Sequence, residues 1–242
     1  MSKRYDPVQD NAKREAGRAA AGLVESGMTL GLGTGSTVRW FLEELGRRIR
    51  DGELFDVWGV PTSDGTARLA RELGIPLMDL DDRGLDMAVD GADAIAPDLS
   101  VIKGYGAALL REKIVASSAR RFVLVADETK IVEKLGGEGW PVPVEIEPFG
   151  YIATLKHLFH EAGEPALRRG PEGGIAISDG GHYIADVTCP CIPDPGDLEK
   201  RLKLLPGVIE TGLFCGMASL ALVGGPGGVR QVIPVKNGKR SG

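Results

Sequence analysis

The stretch MTLGLGTGSTVRWFLEELGRRIR, residues 28–50, decides the fold. Its first part, residues 28–32, is a short apolar run that predicts a buried strand. Glycines then mark a tight turn over 33–37, and apolar side chains at helical spacing predict a helix over 38–50. A strand that turns directly into a helix is the first half of a β–α–β unit, so this stretch favours a parallel sheet.

The alternation of helices and strands continues on both sides of this stretch. Apolar spacing predicts further helices over residues 11–26, 63–74 and 107–119. Gly27 suits the C-terminal cap of the helix over 11–26, and Ser63 suits the N-cap of the helix over 63–74. Short apolar runs predict more strands over residues 55–60, 75–78, 87–89 and 122–125.

The pattern changes after residue 136, where glycines and then prolines interrupt the chain. Beyond this point it predicts helices over 149–162 and 195–205, and strands over 175–178, 183–187, 208–211, 220–223 and 229–234. Such a mixed order is typical of an α+β unit. The predicted class is therefore α/β, with a Rossmann-like parallel sheet and crossover helices plus a smaller α+β domain.

We expect this division to define two domains. Residues 1–139 and 211–242 would form the Rossmann-like catalytic domain, and residues 140–210 would form the smaller α+β domain. Only residues 237–242 have the polar and glycine-containing composition of a disordered tail.

Composition excludes several classes of partner. The net charge is −5 and no block of basic residues is present, which argues against nucleic acid. No apolar run approaches the ~20 residues that span a bilayer, and residues 1–17 lack the apolar core of a signal peptide. We therefore expect a cytoplasmic protein with no membrane partner.

The sequence offers no convincing metal site. Cys189, Cys191 and Cys215 are odd in number, and a structural zinc site needs about four ligands, so free or buried thiols are expected. His157 and His160 lie one helical turn apart, but no carboxylate motif accompanies them, which favours packing or surface roles.

The turn at 33–37 predicts an anion site. Glycines that lead into a helix expose backbone N–H groups at its positive end, where Thr34, Gly35, Ser36 and Thr37 would meet a phosphate or carboxylate. The alternative is an ordinary tight turn in which Ser36 or Thr37 caps the helix.

Nucleotide cofactors are not expected at this turn. In either register of the dinucleotide fingerprint the third glycine is missing, because Ser36 or Val38 takes its place. Residues 60–63, at the end of the second strand, lack the acidic residue that would bind a ribose, and no Walker lysine is present. We therefore predict no NAD, FAD or ATP, and no cofactor at all.

A second chemistry-bearing group follows the strand at 87–89. Asp90 and Asp93 flank Gly91 and Ala92, which permit a sharp turn that would let both carboxylates converge. The alternative is a capping role, which is common for aspartate in turns.

Lys103 and Glu112 complete this group. Lys103 follows an apolar pair and precedes the turn Gly104-Tyr105-Gly106, which favours a positioned lysine over a solvated one. Glu112 has small or apolar helical neighbours at Ala108, Leu109, Val115 and Ala116. Partial burial there would raise its pKa and make it a useful base, although an exposed Arg-Glu-Lys triplet fits the spacing equally well.

Together these motifs resemble ribose-5-phosphate isomerase type A. The resemblance rests on GTGST at 33–37, DGAD at 90–93, KGYG at 103–106, REK at 111–113, ADETK at 126–130, PVE at 143–145 and LPGV at 205–208. It covers most of the chain, and the motifs occur in the family's order and spacing.

The resemblance implies a reaction and roles. The family interconverts ribose 5-phosphate and ribulose 5-phosphate, a step of the non-oxidative pentose phosphate pathway, through an enediolate without metal or cofactor. Glu112 matches the base and Lys103 a lysine beside the reacting oxygens, while Asp90 and Asp93 match aspartates associated with ring opening and hydroxyl proton transfer. The substrate-binding positions implied are Thr34, Gly35, Ser36, Thr37, Gly91, Ala92, Gly104, Tyr105, Gly106 and Lys130. Lys13 falls loosely near a phosphate-contacting lysine.

Two departures keep alternatives open. Ala94 replaces the usual acidic residue after the DGAD motif, and Tyr105 interrupts a turn that is commonly all glycine. They motivate a non-catalytic sugar-phosphate sensor as the alternative, and a related phosphosugar isomerase or acyl-CoA transferase as a third possibility. The resemblance also implies a homodimer or homotetramer.

Overall fold

The computed structural model describes residues 6–137 and 139–235. A six-stranded, mostly parallel sheet forms its largest layer, in the order β13-β12-β6-β3-β1-β2. These strands are β1 (Thr29–Leu32), β2 (Trp58–Pro61), β3 (Met87–Gly91), β6 (Phe122–Asp127), β12 (Leu220–Gly225) and β13 (Gly228–Val232). All neighbours pair in parallel except β12 and β13. The predicted α/β class is confirmed.

Helices cover both faces of this sheet. They are α1 (Pro7–Ala21), α2 (Ser36–Arg50), α3 (Asp64–Glu72) and α4 (Leu109–Ser117). Helices α1 and α2 pack with Met87 and Val89 of β3 in one core, whereas α4 packs with Ala88 in another. Because side chains alternate along a strand, Asp90 lies on the same face as Ala88, towards α4.

Two smaller sheets complete the fold. A four-stranded antiparallel sheet runs β10-β7-β9-β8, and a three-stranded one runs β11-β5-β4. Their strands are β4 (Ala94–Ile95), β5 (Val101–Ile102), β7 (Val142–Ile146), β8 (Glu164–Leu167), β9 (Tyr183–Thr188), β10 (Val208–Thr211) and β11 (Leu213–Phe214). A third core joins these sheets to α5 (Tyr151–Glu161) and α6 (Pro195–Lys203). The proposed domain boundaries stay a prediction.

Several element predictions were wrong. Helix α1 begins four residues early because Asp6 caps it, and it ends at Gly22 rather than Gly27. Gly27 instead donates to the Phe55 carbonyl across the next loop. Residues 75–78 and 175–178 form only isolated bridges, and the predicted tail at 237–242 lies outside the described residues. The Ser63 N-cap is confirmed, since its hydroxyl accepts from the Thr66 N–H at 3.0 Å.

Within residues 6–137 and 139–235, every helix is too short or too polar to cross a membrane.

Candidate active site

The loop after β1 meets the end of β3 at the carboxyl edge of the large sheet. Leu32 pairs with Val89, which places Gly33 directly beside Asp90. A side chain at Gly33 would collide with the Asp90 carboxyl group, so this close approach requires glycine. One Asp90 oxygen, Oδ1, accepts hydrogen bonds from the N–H groups of Thr34 at 3.1 Å and Gly91 at 2.7 Å.

The N-terminus of α2 opens at the same edge. Gly35 occupies the N-cap position with φ of 131°, a conformation that favours glycine, and no side chain in the described part of the chain caps the helix. Ser36 and Thr37 are therefore first-turn residues rather than caps. The free N–H groups and the helix dipole make this end suitable for an anion.

Thr34 is held away from the helix end by a cluster of hydroxyl groups. Its Oγ1 lies 2.8 Å from Thr62 Oγ1, 2.9 Å from Ser63 Oγ and 3.1 Å from Thr66 Oγ1. Thr62, Ser63 and Thr66 are all buried. The cluster and the Thr34 N–H bond to Asp90 fix the turn, so the backbone of residues 35–37 presents its N–H groups in one orientation.

Lys103 lies at the centre of a buried charge cluster. It follows β5, and its ammonium Nζ lies 3.1 Å from Asp90 Oδ2 and 3.3 Å from Glu112 Oε2. Nζ also donates to the Gly91 carbonyl at 2.6 Å. Lys103 and Asp90 are each 2% exposed and Glu112 is 3% exposed, so water does not screen these charges.

The Lys103 ammonium pairs with Asp90 and Glu112 and also acts on Asp93, and the pKa values of these groups reflect their burial and this shared charge. Burial and the neighbouring Asp90 carboxylate raise the pKa of Glu112 to about 8, although Lys103 acts in the opposite direction. Burial also raises the pKa of Asp90 and of Asp93. Burial disfavours the Lys103 cation, but the carboxylates of Asp90, Glu112 and Asp93 outweigh it and raise its pKa.

Glu112 is buried against Lys103. Its Oε2 lies 3.3 Å from the Lys103 ammonium and has no further partner within the described residues. A carboxyl group with a raised pKa, beside a fixed cation and at a cavity wall, has the properties of a general base.

A cavity of about 270 Å³ brings the predicted residues together. Its lining includes the predicted positions Thr34, Gly35, Ser36, Thr37, Gly91, Ala92, Asp93, Lys103, Gly104, Tyr105, Gly106, Glu112 and Lys130. Lys13 also lines it, as does Gln9, which no sequence motif indicated. Asp90 lies behind Lys103 and does not line the cavity.

The two departures from the family pattern have different surroundings. Ala94 is fully buried in β4, within the third core. Tyr105 lies at the cavity wall and is 39% exposed, and its N–H donates to Asp93 Oδ2 at 3.1 Å. Only Tyr105 therefore changes the lining of the site.

Other candidate ligands lie elsewhere. Cys189, Cys191 and Cys215 are free thiols, as predicted. Across residues 6–137 and 139–235, no three His, Cys, Asp or Glu side chains form a group that could hold a metal ion.

An α/β fold with a buried lysine–carboxylate cluster beside an uncapped helix N-terminus is the arrangement expected of a phosphosugar isomerase, and comparison with known proteins agrees. Residues 58–228 match the family model described as ribose 5-phosphate isomerase A (phosphoriboisomerase A). The chain is 51% identical over 227 residues to "Ribose-5-phosphate isomerase A" of Roseiflexus sp. (strain RS-1), covering 93% of this chain and 97% of that protein. The chain belongs to the ribose 5-phosphate isomerase A family.

Solved structures show the same fold. A ribose 5-phosphate isomerase A from Methanocaldococcus jannaschii superposes with a TM-score of 0.88 at 42% identity, covering 93% of this chain and 99% of that one. A D-ribose-5-phosphate isomerase in complex with phospho-erythronic acid superposes with a TM-score of 0.90 at 40% identity and the same coverage.

Proposed function

We propose that this protein interconverts D-ribose 5-phosphate and D-ribulose 5-phosphate through an enediolate, in the non-oxidative pentose phosphate pathway. One observation carries the proposal: the Lys103 ammonium lies between Asp90 and Glu112 at the wall of a cavity that also contains an uncapped helix N-terminus. An aldose–ketose isomerase needs a phosphate-binding end and a base with an adjacent cation, and this cavity offers both.

The phosphate group binds at the N-terminus of α2. The N–H groups and hydroxyls of Ser36 and Thr37 offer donors there, and Lys130 adds positive charge from the same cavity. A relative was solved with phospho-erythronic acid, a phosphorylated sugar acid, which is the same class of ligand. Binding at this end holds the reacting carbons against the base and lowers the entropic barrier.

Glu112 is the base. Its carboxylate takes the proton from C2 of the open-chain aldose, which leaves an enediolate with its negative charge on O1. The proton on O2 then passes to O1 through Asp93, and Glu112 returns its proton to C1, so the ketose forms. A pKa raised to about 8 makes the carboxylate a stronger base than an exposed glutamate.

Lys103 stabilises the negative charge that develops on the reacting oxygens. Its ammonium is buried and already fixed by Asp90, so little reorganisation is needed during the reaction. Because Asp93 lines the cavity and Asp90 does not, we assign hydroxyl proton transfer and ring opening to Asp93, and the orientation of Lys103 to Asp90.

The assembly and location of the enzyme stay predictions. A homodimer or homotetramer is expected from the family, and a cytoplasmic location is expected from the apolar pattern of the sequence. Small-angle scattering at several concentrations would measure the mass in solution, and a monomer at all of them would contradict the expected assembly.

Proton NMR of ribose 5-phosphate in D₂O, with purified protein and added chelator, tests the function. We expect conversion to ribulose 5-phosphate with exchange of the C2 proton for solvent deuterium. Saturable binding without exchange would instead support a sensor. Activity only on hexose phosphates or in acyl-CoA exchange would point to a related enzyme.

A further inference from the structure

Tyr105 lines two neighbouring cavities. One is the catalytic cavity of about 270 Å³. The other is a cavity of about 630 Å³ that is also lined by Arg168 and most of the loop that follows it, up to Ile177. Tyr105 and Gly106 are common to both linings, and only Tyr105 has a side chain, so its phenol ring supplies the bulk between them.

Interactions on both sides hold the ring in place. Tyr105 stacks on Trp140 with ring centroids 6.4 Å apart and planes at 19°, and its hydroxyl donates to the Gly139 carbonyl at 3.3 Å. The Arg168 guanidinium lies 5.6 Å from the ring centre. Burial raises the pKa of Tyr105 to about 12, which keeps the hydroxyl a donor at neutral pH.

Arg168 also fixes the backbone that carries the ring. It donates to the carbonyls of Gly104 at 2.6 Å and Tyr105 at 3.1 Å. Arg168 is itself paired with Asp186, to which Nε donates at 2.9 Å. Stacking, the hydroxyl hydrogen bond and the backbone contacts therefore fix the Tyr105 ring in one position.

Tyr105 and its stacking partner contact groups at both ends of the proposed substrate site. At one end the Tyr105 N–H donates to Asp93, beside the reacting group. At the other, its stacking partner Trp140 lies 4.9 Å from the Lys130 ammonium, which belongs to the proposed phosphate end.

We propose that Tyr105 sets the chain length of the sugar phosphate that the enzyme accepts; this inference rests on the proposed isomerase function. When the phosphate and the reacting carbons are both fixed, an extra carbon between them must bulge sideways. The Tyr105 ring closes the cavity on the side where the larger cavity would otherwise receive that bulge. A five-carbon chain needs no such space.

The test compares Tyr105→Ala with Tyr105→Phe on two substrates. D-allose 6-phosphate is a suitable longer probe because it keeps the hydroxyl configuration of D-ribose 5-phosphate. We expect the alanine variant to raise the ratio of kcat/KM for the six-carbon over the five-carbon substrate by at least about tenfold. The phenylalanine variant keeps the ring, so its ratio of kcat/KM for the six-carbon over the five-carbon substrate should stay within about threefold of the wild-type ratio.

Binding measurements cover the case in which the alanine variant loses turnover. Calorimetry with D-ribonate 5-phosphate and D-allonate 6-phosphate would report the ratio of their dissociation constants, which should move in favour of the longer acid. An unchanged ratio in both measurements overturns the chain-length role. A wild-type protein without C2 proton exchange would instead overturn the proposed function, so the two failures are distinguishable.

Discussion

Two adjacent residues of helix α4, Glu112 and Lys113, belong to two different ionic clusters. The pKa of the glutamate is raised in one cluster and lowered in the other. The catalytic cluster contains Glu112 with Lys103, Asp90 and Asp93. The neighbouring cluster, here termed the tie cluster, comprises Lys113, Glu199, Lys203 and Glu210. Lys113 lies 2.7 Å from Glu199 and 2.9 Å from Glu210, and Lys203 lies 2.9 Å from the other Glu210 oxygen.

The ratio of positive to negative groups separates the two clusters. Burial acts against ionisation of Glu210, but Lys113, Lys203 and the Thr211 N–H outweigh it and lower its pKa. Glu112 shares a single ammonium with two aspartates, and its pKa rises to about 8. Glu210 has enough hydrogen-bond donors to stay ionised, and it joins α4 to α6 and β10. Glu112 has too few donors, so it can take up a proton.

Replacing Glu112 gives the largest expected effect. Glu112→Gln keeps the shape but removes the base, so turnover of ribose 5-phosphate should fall by a factor on the order of 10⁴, within the upper range for general-base catalysis. A coupled assay measures the rate, and circular dichroism checks the fold. The matched control is Glu210→Gln in the tie cluster, which should keep turnover within about threefold. Comparable activity in the two variants would contradict the assignment of the base.

Removing the shared cation comes next. Lys103→Met should lower kcat by a factor of about 10²–10³, the range for loss of one oxyanion-stabilising group. It should also raise the pKa of Glu112 further, because Lys103 is the group that lowers it. The acid limb of kcat/KM would then move to higher pH. A limb that stays in place, or moves to lower pH, would show that Lys103 does not control the base.

The smallest effect is expected on stability. Glu210→Gln should lower the free energy of unfolding by about 1–2 kcal/mol at pH 7, since Lys113 is largely buried but Lys203 is half exposed. Because the pKa of Glu210 is lowered on folding, its stabilisation is present above the unfolded value of about 4.3 and is lost as pH falls through the folded one. Urea denaturation should therefore show wild type and variant converging in acid, and a gap that widens there would reverse the assignment.

The sequence predicted the parallel sheet well because short apolar runs that alternate with helical spacing specify it. Strands β4, β5, β7, β8 and β11 were missed. Three of them, β4, β5 and β11, are only two residues long, which is too short for any period to show, and β7 and β8 each contain a proline, which argues against a strand. At 75–78 an apolar run produced only one bridge, at Leu77. Short strands depend on partners far along the chain, which local pattern does not reveal.

The candidate site was predicted more fully than its chemistry. The motifs predicted that Glu112 and Lys103 belong to one site. Helical spacing alone did not decide whether the Glu112 side chain is exposed to solvent or buried. Its environment is set by Asp90, twenty-two positions earlier, and by Lys103, which follows strand β5. Tyr105 was noted as a departure, yet its packing depends on Trp140 and Arg168, which no motif connects to it.

Titration of the Glu112 side-chain carboxyl tests the central claim most directly. Carbon-13 NMR of glutamate-labelled wild-type protein, with Glu112→Gln for assignment, would follow this group between pH 4 and 10. A midpoint near pH 8 is predicted, because burial and Asp90 outweigh Lys103. A midpoint near the ordinary glutamate value of about 4.3 would contradict the claim that charge imbalance makes Glu112 the base.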